Sequence, residues 1–348
     1  MKLNTVRTST HRRVRSSVLA IAVVAGLSLT GCGGGSGEEG GDKQLLLGHG
    51  ASPTNPRSEA ADFFAEQVAE NTDSSVTVQV QGAEQLGSDA EMMVSLASGT
   101  LDMTANSQGV VSSTVPEVAL FGLPFLFETS KHAHTVVDGP IGDEIAAKAE
   151  EEGFKVLAWW DNGIRHVTTG KTPISTPEDL AGLKIRTPED PMTIDIFNAL
   201  DANPTPMAFN ELYLALQQGA VDGQENPIPN IHANALHEVQ GHLALTGHKY
   251  EVTPLVISMS SWESLSPEQQ EAVQTAADEA RDMQRDLMEE QTEELRTELE
   301  DSMEITTPEL APFRDATTGV YDKWSADYPE FVEQIVDEAD ATRAEFTG

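Results

Sequence analysis

Apolar positions between residues 44 and 105 switch between strand and helix spacing. Gln44–His49 is a short apolar run that fits a buried strand, and Ser58–Asn71 carries Phe63, Phe64, Gln67 and Val68 on one helical face. Val76, Val78 and Val80 then alternate with polar residues, the period of a half-buried strand. Strand, helix and strand in that order predict a parallel sheet and an α/β fold. Ser88 with Glu91 forms a capping box for a helix that runs to Ser98 and stops at Gly99, and Leu101–Ala105 is the next strand.

That last unit returns 120 residues later. Glu91, Leu96, Gly99, Asp102 and Asn106 match Glu211, Leu216, Gly219, Asp222 and Asn226. Each copy reads as a helix stopped by glycine, a short strand, and an asparagine at the strand's carboxyl end. Ligands of open α/β sheets sit at such ends, so Asn106 and Asn226 are expected to approach each other across one cleft.

Elsewhere, Leu123–Phe127 reads as core packing, and Lys155–Trp160 as a strand that turns Trp159 and Trp160 to opposite faces, one of them the cleft. Thr176-Pro177-Glu178-Asp179 starts a helix that Gly182 closes, and Leu183–Ile185 is a strand whose end delivers Arg186. Pro188 and Pro191 are expected to keep the following backbone irregular. Ile194–Leu200 reads as helix and Thr205–Met207 as a strand ending at Phe209, with Asn210 capping the next helix. Leu243–Thr246 and Val252–Ser258 read as two return strands. From Ser266-Pro267-Glu268 a helix runs past Asp301 without Gly or Pro, about 50 Å at about 1.5 Å per residue. Apolar positions from Phe313 to Phe346 suit C-terminal helices.

With 348 residues the chain has room for about two domains. Its formal charge of −36 disfavours nucleic acid and anionic lipid as partners. The first 31 residues differ: five Lys or Arg and no acid, with an apolar stretch from Val18 to Leu29, which predict a signal peptide. Leu29-Thr30-Gly31-Cys32 resembles a lipobox, making Cys32 the expected lipidation site and residues 32–43 a Gly-rich tether. Cys32 is the only cysteine, so no intrachain disulfide forms. His49, His132, His134 and His166 lack the neighbours of a metal site. No nucleophile elbow, metal motif or phosphate loop supports a hydrolase, and no cofactor is implied.

Candidate chemistry concentrates between Asp161 and Asn230. Arg165 in DNGIRH and Arg186 in GLKIRTP are guanidinium forks suited to a carboxylate, Phe209 in NPTPMAF offers an aromatic wall, and Asn226 in VDGQENP an amide. These motifs, with AEQLGSDAEMMVSLASGTLDMTANS, LPFLFE and HEVQGHLALTGH, resemble the solute-binding subunit of tripartite ATP-independent periplasmic (TRAP) transporters, the DctP family, from about Gln44 to the C-terminus.

The resemblance implies a periplasmic-binding-protein-like fold: two α/β domains around a ligand cleft, spanned by one long helix. Domain I would comprise 44–163 with about 252–291, and domain II 164–251 with about 292–348. It implies that Arg186 forms a bidentate salt bridge to the ligand carboxylate and that Asn226 hydrogen-bonds the ligand, with Arg165 and Phe209 lining the pocket. Asn106 and Trp160 complete the expected ligand-binding set. Chain-specific contacts are expected at His49-Gly50, Asn55-Pro56 and Ser107-Gln108. The expected ligand is a C4-dicarboxylate or a sugar acid such as a hexuronate, and the expected partners are small DctQ-like and large DctM-like membrane subunits. The protein is expected to be exported and held by lipid at the outer face of the cell membrane, or to be periplasmic in a diderm host. A ligand-binding module feeding a sensor would present the same sequence.

Overall fold

The computed structural model describes residues 41–347, so the signal peptide, Cys32 and nearly all of the tether lie outside the described residues. The first segment comprises β1 (Lys43–His49), α1 (Pro56–Asn71), β2 (Val76–Gln81), α2 (Asp89–Ala97), β3 (Met103–Ala105) and α3 (Gln108–Val111). After α4 (Ser130–Val137) and α5 (Pro140–Glu151), β4 (Phe154–Thr169) leads to β5 (Lys184–Thr187), α6 (Pro191–Ala199), β6 (Asn203–Pro206), α7 (Leu212–Gln217), β7 (Gly223–Asn226) and α8 (Ile228–Ala233). Then come β8 (His242–Ser258), α9 (Met259–Glu263), α10 (Pro267–Leu299), β9 (Glu304–Thr306), α11 (Ala311–Asp327) and α12 (Pro329–Thr342). Among the described residues no helix is long and apolar enough to cross a membrane.

All the strands join one sheet, in the order β2-β1-β3-β8-β4-β7-β5-β6, with β9 beside β8. The order is a repeat: β1, β2 and β3 pair in parallel as β2-β1-β3, and β5, β6 and β7 as β6-β5-β7, each set closed by an antiparallel long strand. The sequence echo falls on equivalent places. Asp102 Oδ2 accepts the Leu46 N–H at 2.8 Å, and Asp222 Oδ2 accepts the Lys184 N–H at 2.9 Å, so each aspartate ties its strand to the preceding parallel one. Gly99 and Gly219 stop α2 and α7 with φ of +72° and +68°, a region where glycine has no steric penalty. The two exposed large hydrophobic side chains among the described residues, Val94 and Leu214, also occupy matching positions of the repeat.

Several boundaries differ from the sequence reading. The strand expected to end at Trp160 continues through Arg165 to Thr169, and the two return strands are one 17-residue strand. Its polar centre, His248-Lys249-Tyr250-Glu251, resembles a loop in sequence but is buried, because each charged side chain has an opposite charge beside it. Pro191 does not keep the chain irregular; it opens α6, with Asp190 as N-cap, because a first-turn residue needs no N–H. The helix started by Thr176 is one turn, Pro177–Leu180, and Asn210 lies inside the turn Phe209–Glu211 without capping α7.

β4 and β8 join the two halves, and their pairing slips at three places; at the middle one Asp161 faces Val252 while Gly163 faces Glu251. Asn162 is the extra residue of this bulge, and Gly163 accommodates the turn at φ +107°. A bulge leaves backbone groups unpaired, and here Gln284 of α10 satisfies them. The Asp161 N–H donates to Gln284 Oε1 at 2.8 Å, and Gln284 Nε2 donates to Asp161 O at 2.7 Å. α10 is continuous over 33 residues and packs on α1, β4 and α8, spanning both halves of the sheet. Replacing Gln284 with Leu would orphan both Asp161 groups at about 1–3 kcal/mol each. Urea unfolding of Gln284→Leu is therefore expected to show a loss of about 2–5 kcal/mol; a loss under about 0.5 kcal/mol would mean that the bulge does not rely on this side chain.

Candidate functional site

One cavity opens where the carboxyl ends of both parallel sets meet the bulge. The first half contributes Gly50, Asn55, Arg57, Glu84, Asp89 and Ser107; the second contributes Arg186, Pro188, Phe209, Asn226, Asn230 and Asn234. Asn162, Arg165 and Glu251 reach it from the two long strands. The bulge turns Asn162 toward both sides: its Oδ1 accepts from Arg57 Nη2 at 2.9 Å and from Asn230 Nδ2 at 3.1 Å. Asn55 Nδ2 donates to Asn230 Oδ1 at 2.7 Å, so amides bridge the halves along one edge.

Arg165 is neutralised by the protein itself. Its Nε and Nη2 hold the two oxygens of Glu225 at 2.5 and 2.7 Å, Nη2 also donates to Glu225 O at 2.8 Å, and Nη1 lies 2.7 Å from Glu251 Oε2. Burial works against the charge of Arg165, but Glu225 and Glu251 more than offset it and raise the pKa. Burial likewise opposes ionisation of Glu225, yet Arg165 and the His248 hydrogen bond hold its carboxyl down at about 2. Lys249, fully buried, is bonded to Asp190 and donates to Thr193 Oγ1 at 2.9 Å. Glycines leave room for this packed layer: a Cβ at Gly122 would sit 2.4 Å from Lys249 Cε, and one at Gly109 would sit 2.4 Å from Asp190 Cβ.

Arg186 is arranged differently. It is 3% exposed, its Nε and Nη2 both donate to Met207 O at 3.2 and 2.8 Å, and among the described residues Nη1 makes no hydrogen bond. The guanidinium carbon lies 5.5 Å from the centroid of the Phe209 ring. Among the described residues no carboxylate lies within 4.0 Å of it. Burial is the largest effect and, with the charge of Arg165, lowers its pKa to about 10 against the opposing pull of Glu225, Glu251 and Glu84, so it stays protonated at neutral pH without a carboxylate in direct contact. Among the described residues Arg57, 7% exposed, is likewise without an ion pair: Nη2 donates to Asn162 and to Thr253 Oγ1 at 2.9 Å, and Nε has no partner.

Of the residues expected from sequence, Arg186, Arg165, Asn226 and Phe209 line this cavity. Asn226 Oδ1 accepts from Arg165 and Asn230 at 3.3 and 3.2 Å, and its Nδ2 donates to Gln224 Oε1 at 2.5 Å. Asn106 and Trp160 do not line it. Asn106 is buried behind α2, donating to Asp89 O at 2.9 Å, and shares no hydrogen bond with Asn226. Trp160 is wholly buried among Leu45, Leu47 and Leu157, while Trp159 packs edge-on to Phe121 on the other face; the alternation holds, but both faces are core. Gly50, Asn55 and Ser107 are at the cavity, whereas His49, Pro56 and Gln108 pack behind it.

Arg57, Glu84 and Asp89 escaped sequence reading. Arg57 carried a signal, because a cation in the first turn of a helix opposes the macrodipole and suggests another reason for its place. Asp89 reads as an ordinary first-turn acid. Glu84, half buried, has its carboxyl pushed up to about 7 by burial and by Asp89, with Arg186 acting in the opposite direction.

Comparison with known proteins agrees with this geometry. The model of the DctP family, bacterial extracellular solute-binding protein family 7, matches residues 47–327. The chain belongs to the DctP family. It is 38% identical to the 2,3-diketo-L-gulonate-binding periplasmic protein YiaO of Escherichia coli, over 68% of this chain and 72% of that one. The uncharacterized protein y4mM of Sinorhizobium fredii is 54% identical over 68% of this chain, which spans only 43% of that protein's length. The crystal structure of the sugar acid binding protein DctPAm of Advenella mimigardefordensis, in complex with galactonate, superposes with a TM-score of 0.84 at 31% identity, covering 86% of this chain and 99% of that one. The family and its solved relatives are binding proteins, and the α/β fold is theirs.

The Arg165–Glu225 pair sets a pH dependence. Glu225 titrates lower when folded, so its stabilisation is complete above its ordinary value of about 4.5 and is lost as pH falls toward about 2. Urea titrations across that range are expected to show Glu225→Gln less stable than the parent by about 3–5 kcal/mol at neutral pH, with the gap closing below about pH 4.5. A gap that is constant with pH would show that the charge of Glu225 is not what matters.

Proposed function

We propose that the protein is the extracytoplasmic receptor of a TRAP transporter, binding a small organic acid, a C4-dicarboxylate or a sugar acid such as a hexuronate, and delivering it to the membrane permease. The observation that carries this reading is Arg186: a buried guanidinium with free donors, no carboxylate within 4.0 Å among the described residues, and a cavity before it. A ligand carboxylate would take Nη1 and the remaining Nη2 hydrogen as a two-pronged pair, and Phe209 would cover the adjoining carbon skeleton. Asn226 would offer amide contacts to the ligand. Arg165, whose fork is already occupied, would serve chiefly to hold Asn226 and Glu251 in place.

Capture would close the halves over the ligand, with 44–163 and about 252–291 as one domain and 164–251 and about 292–348 as the other. The crossings fall within β4, β8 and α10, so closure would be a hinge at the bulge accompanied by bending of α10. The closed form would be presented to the small DctQ-like and large DctM-like subunits. A lipid on Cys32 would keep the receptor at the outer face of the membrane.

A thermal-shift panel tests the reading. Organic acids are expected to raise the melting temperature, while neutral sugars and amino acids leave it unchanged. Losing one partner of a buried charge pair costs about 2–5 kcal/mol, or roughly 30-fold to several thousand-fold in affinity. Arg186→Lys and Arg186→Ala are both expected to fall in that range, because a point charge does not reproduce the fork. Stabilisation by neutral sugars alone, or an Arg186→Lys protein within about threefold of the parent, would overturn the proposal.

A further inference from the structure

Glu84 and Arg186 line the same cavity from opposite halves of the sheet. Glu84 is half-buried there, and its backbone is held in an unusual form: Ala83 and Glu84 have φ of +53° and +55°, the left-handed region that residues other than glycine rarely enter. The Ala83 and Glu84 N–H groups donate to Ala51 O at 3.0 Å and to His49 O at 3.2 Å, so the end of β1 fixes this turn. Strain stored at a cavity wall points to a use for the side chain it presents. That side chain lies beside a second acid. A Cβ at Gly50 would stand 2.8 Å from Asp89 Oδ1 and 3.6 Å from Glu84 Oε1, so two carboxyl groups converge on one point of the wall. Asp89 has donors for its charge, since Oδ2 accepts from Ser107 N and Oγ at 3.1 and 2.9 Å. Among the described residues Glu84 has no cation within 4.0 Å.

From this placement we infer that Glu84 takes up a proton from water when the cavity receives an organic acid, so that capture of the anion is coupled to protonation of the receptor; the inference rests on the function proposed above. Neighbouring carboxylates repel one another, and a proton on one of them relieves this most readily where that one lacks donors. Burial and Asp89, with a smaller effect of Glu91, push the Glu84 carboxyl up to about 7, while Arg186 and the Asn210 N–H, both in the second half, act in the opposite direction. A ligand carboxylate on Arg186 would cancel the pull of that guanidinium and add a negative charge, and both changes tighten the hold of Glu84 on its proton. By linkage, affinity for the acid then rises as pH falls through the neutral range. His49, packed under Gly82, does not titrate in that range, because burial and the charge of Arg57 hold it down at about 4.

Calorimetric titration of the full folded chain with glucuronate, galactonate and succinate tests this. The parent is expected to bind at least one of them about 10-fold more tightly at about pH 7 than at about pH 8.5. Repeating the titration at about pH 7.5 in phosphate and in Tris, whose heats of ionisation differ, counts the protons exchanged; uptake of roughly half to one proton per ligand is expected. Glu84→Gln, which has the same shape but does not titrate, is expected to bind that acid with less than about twofold change over the same range and with no uptake. An affinity of the parent that is flat between these pH values, release of protons on binding, or the same uptake in Glu84→Gln would overturn the role of Glu84 while leaving that of Arg186 intact. If none of these acids binds the parent, or Arg186→Lys binds normally, the function proposed above fails, and the coupling with it.

Discussion

Everything at this site depends on which buried cations the fold neutralises and which it leaves without a counterion. Arg165 and Lys249 are surrounded by Glu225, Glu251 and Asp190, and their pairing lets two long polar strands run through the centre of the sheet. Arg186 and Arg57 are equally buried but have only neutral acceptors. Desolvating a guanidinium without a counterion is costly, so their places are hard to explain by stability alone. Arg165 forms part of the cavity floor with Lys249 packed behind it, and Arg186 and Arg57 supply its unmet hydrogen-bonding capacity.

The repeat explains how the fold produces such a floor. Both halves use a central parallel strand flanked by two others, with an aspartate tying each third strand to the first. The registers make Gly48 the counterpart of Arg186, since Gly48 faces Thr104 and Arg186 faces Gln224 at matching points. In the first half that position is packed over by Met92 and Leu86; in the second it carries the guanidinium. The symmetry places two strand ends at one cleft, and its local breakdown makes the cleft electrically uneven. The bulge at Asn162, secured by Gln284, brings the middle of β4 to the same place.

Much of this was legible from residues alone. Period-2 and helical spacing located β1, α1, β2 and α2, the capping pair Ser88 and Glu91 marked a helix start, and the glycine-to-asparagine echo reported a true structural repeat. Arg186 was found because a fork beside a strand end has a clear chemical use. Other features depended on tertiary partners that hydropathy does not encode. The run from His248 to Glu251 is polar by composition and buried by pairing, so its continuous strand was invisible. Asn106 sits at the right end of its strand, but it turns back to hold Asp89, and only the packing of α2 shows this. Trp160 alternates as expected, yet both sides of β4 are covered.

On the function proposed, a chain of formal charge −36 that receives an anion needs attraction confined to short range. Two buried guanidinium groups would provide it, because low-dielectric surroundings strengthen their pull without altering the acidic surface. The most direct test is the stability of ligand-free Arg186→Met, measured by urea unfolding at neutral pH. Removing a buried charge that the protein does not neutralise should change stability by less than about 2 kcal/mol, relief of its desolvation offsetting the lost contact with Phe209 and the two hydrogen bonds to Met207 O. A loss of about 3–5 kcal/mol, the penalty for breaking a compensated buried pair, would contradict the account by showing that Arg186 already has its counterion within the fold.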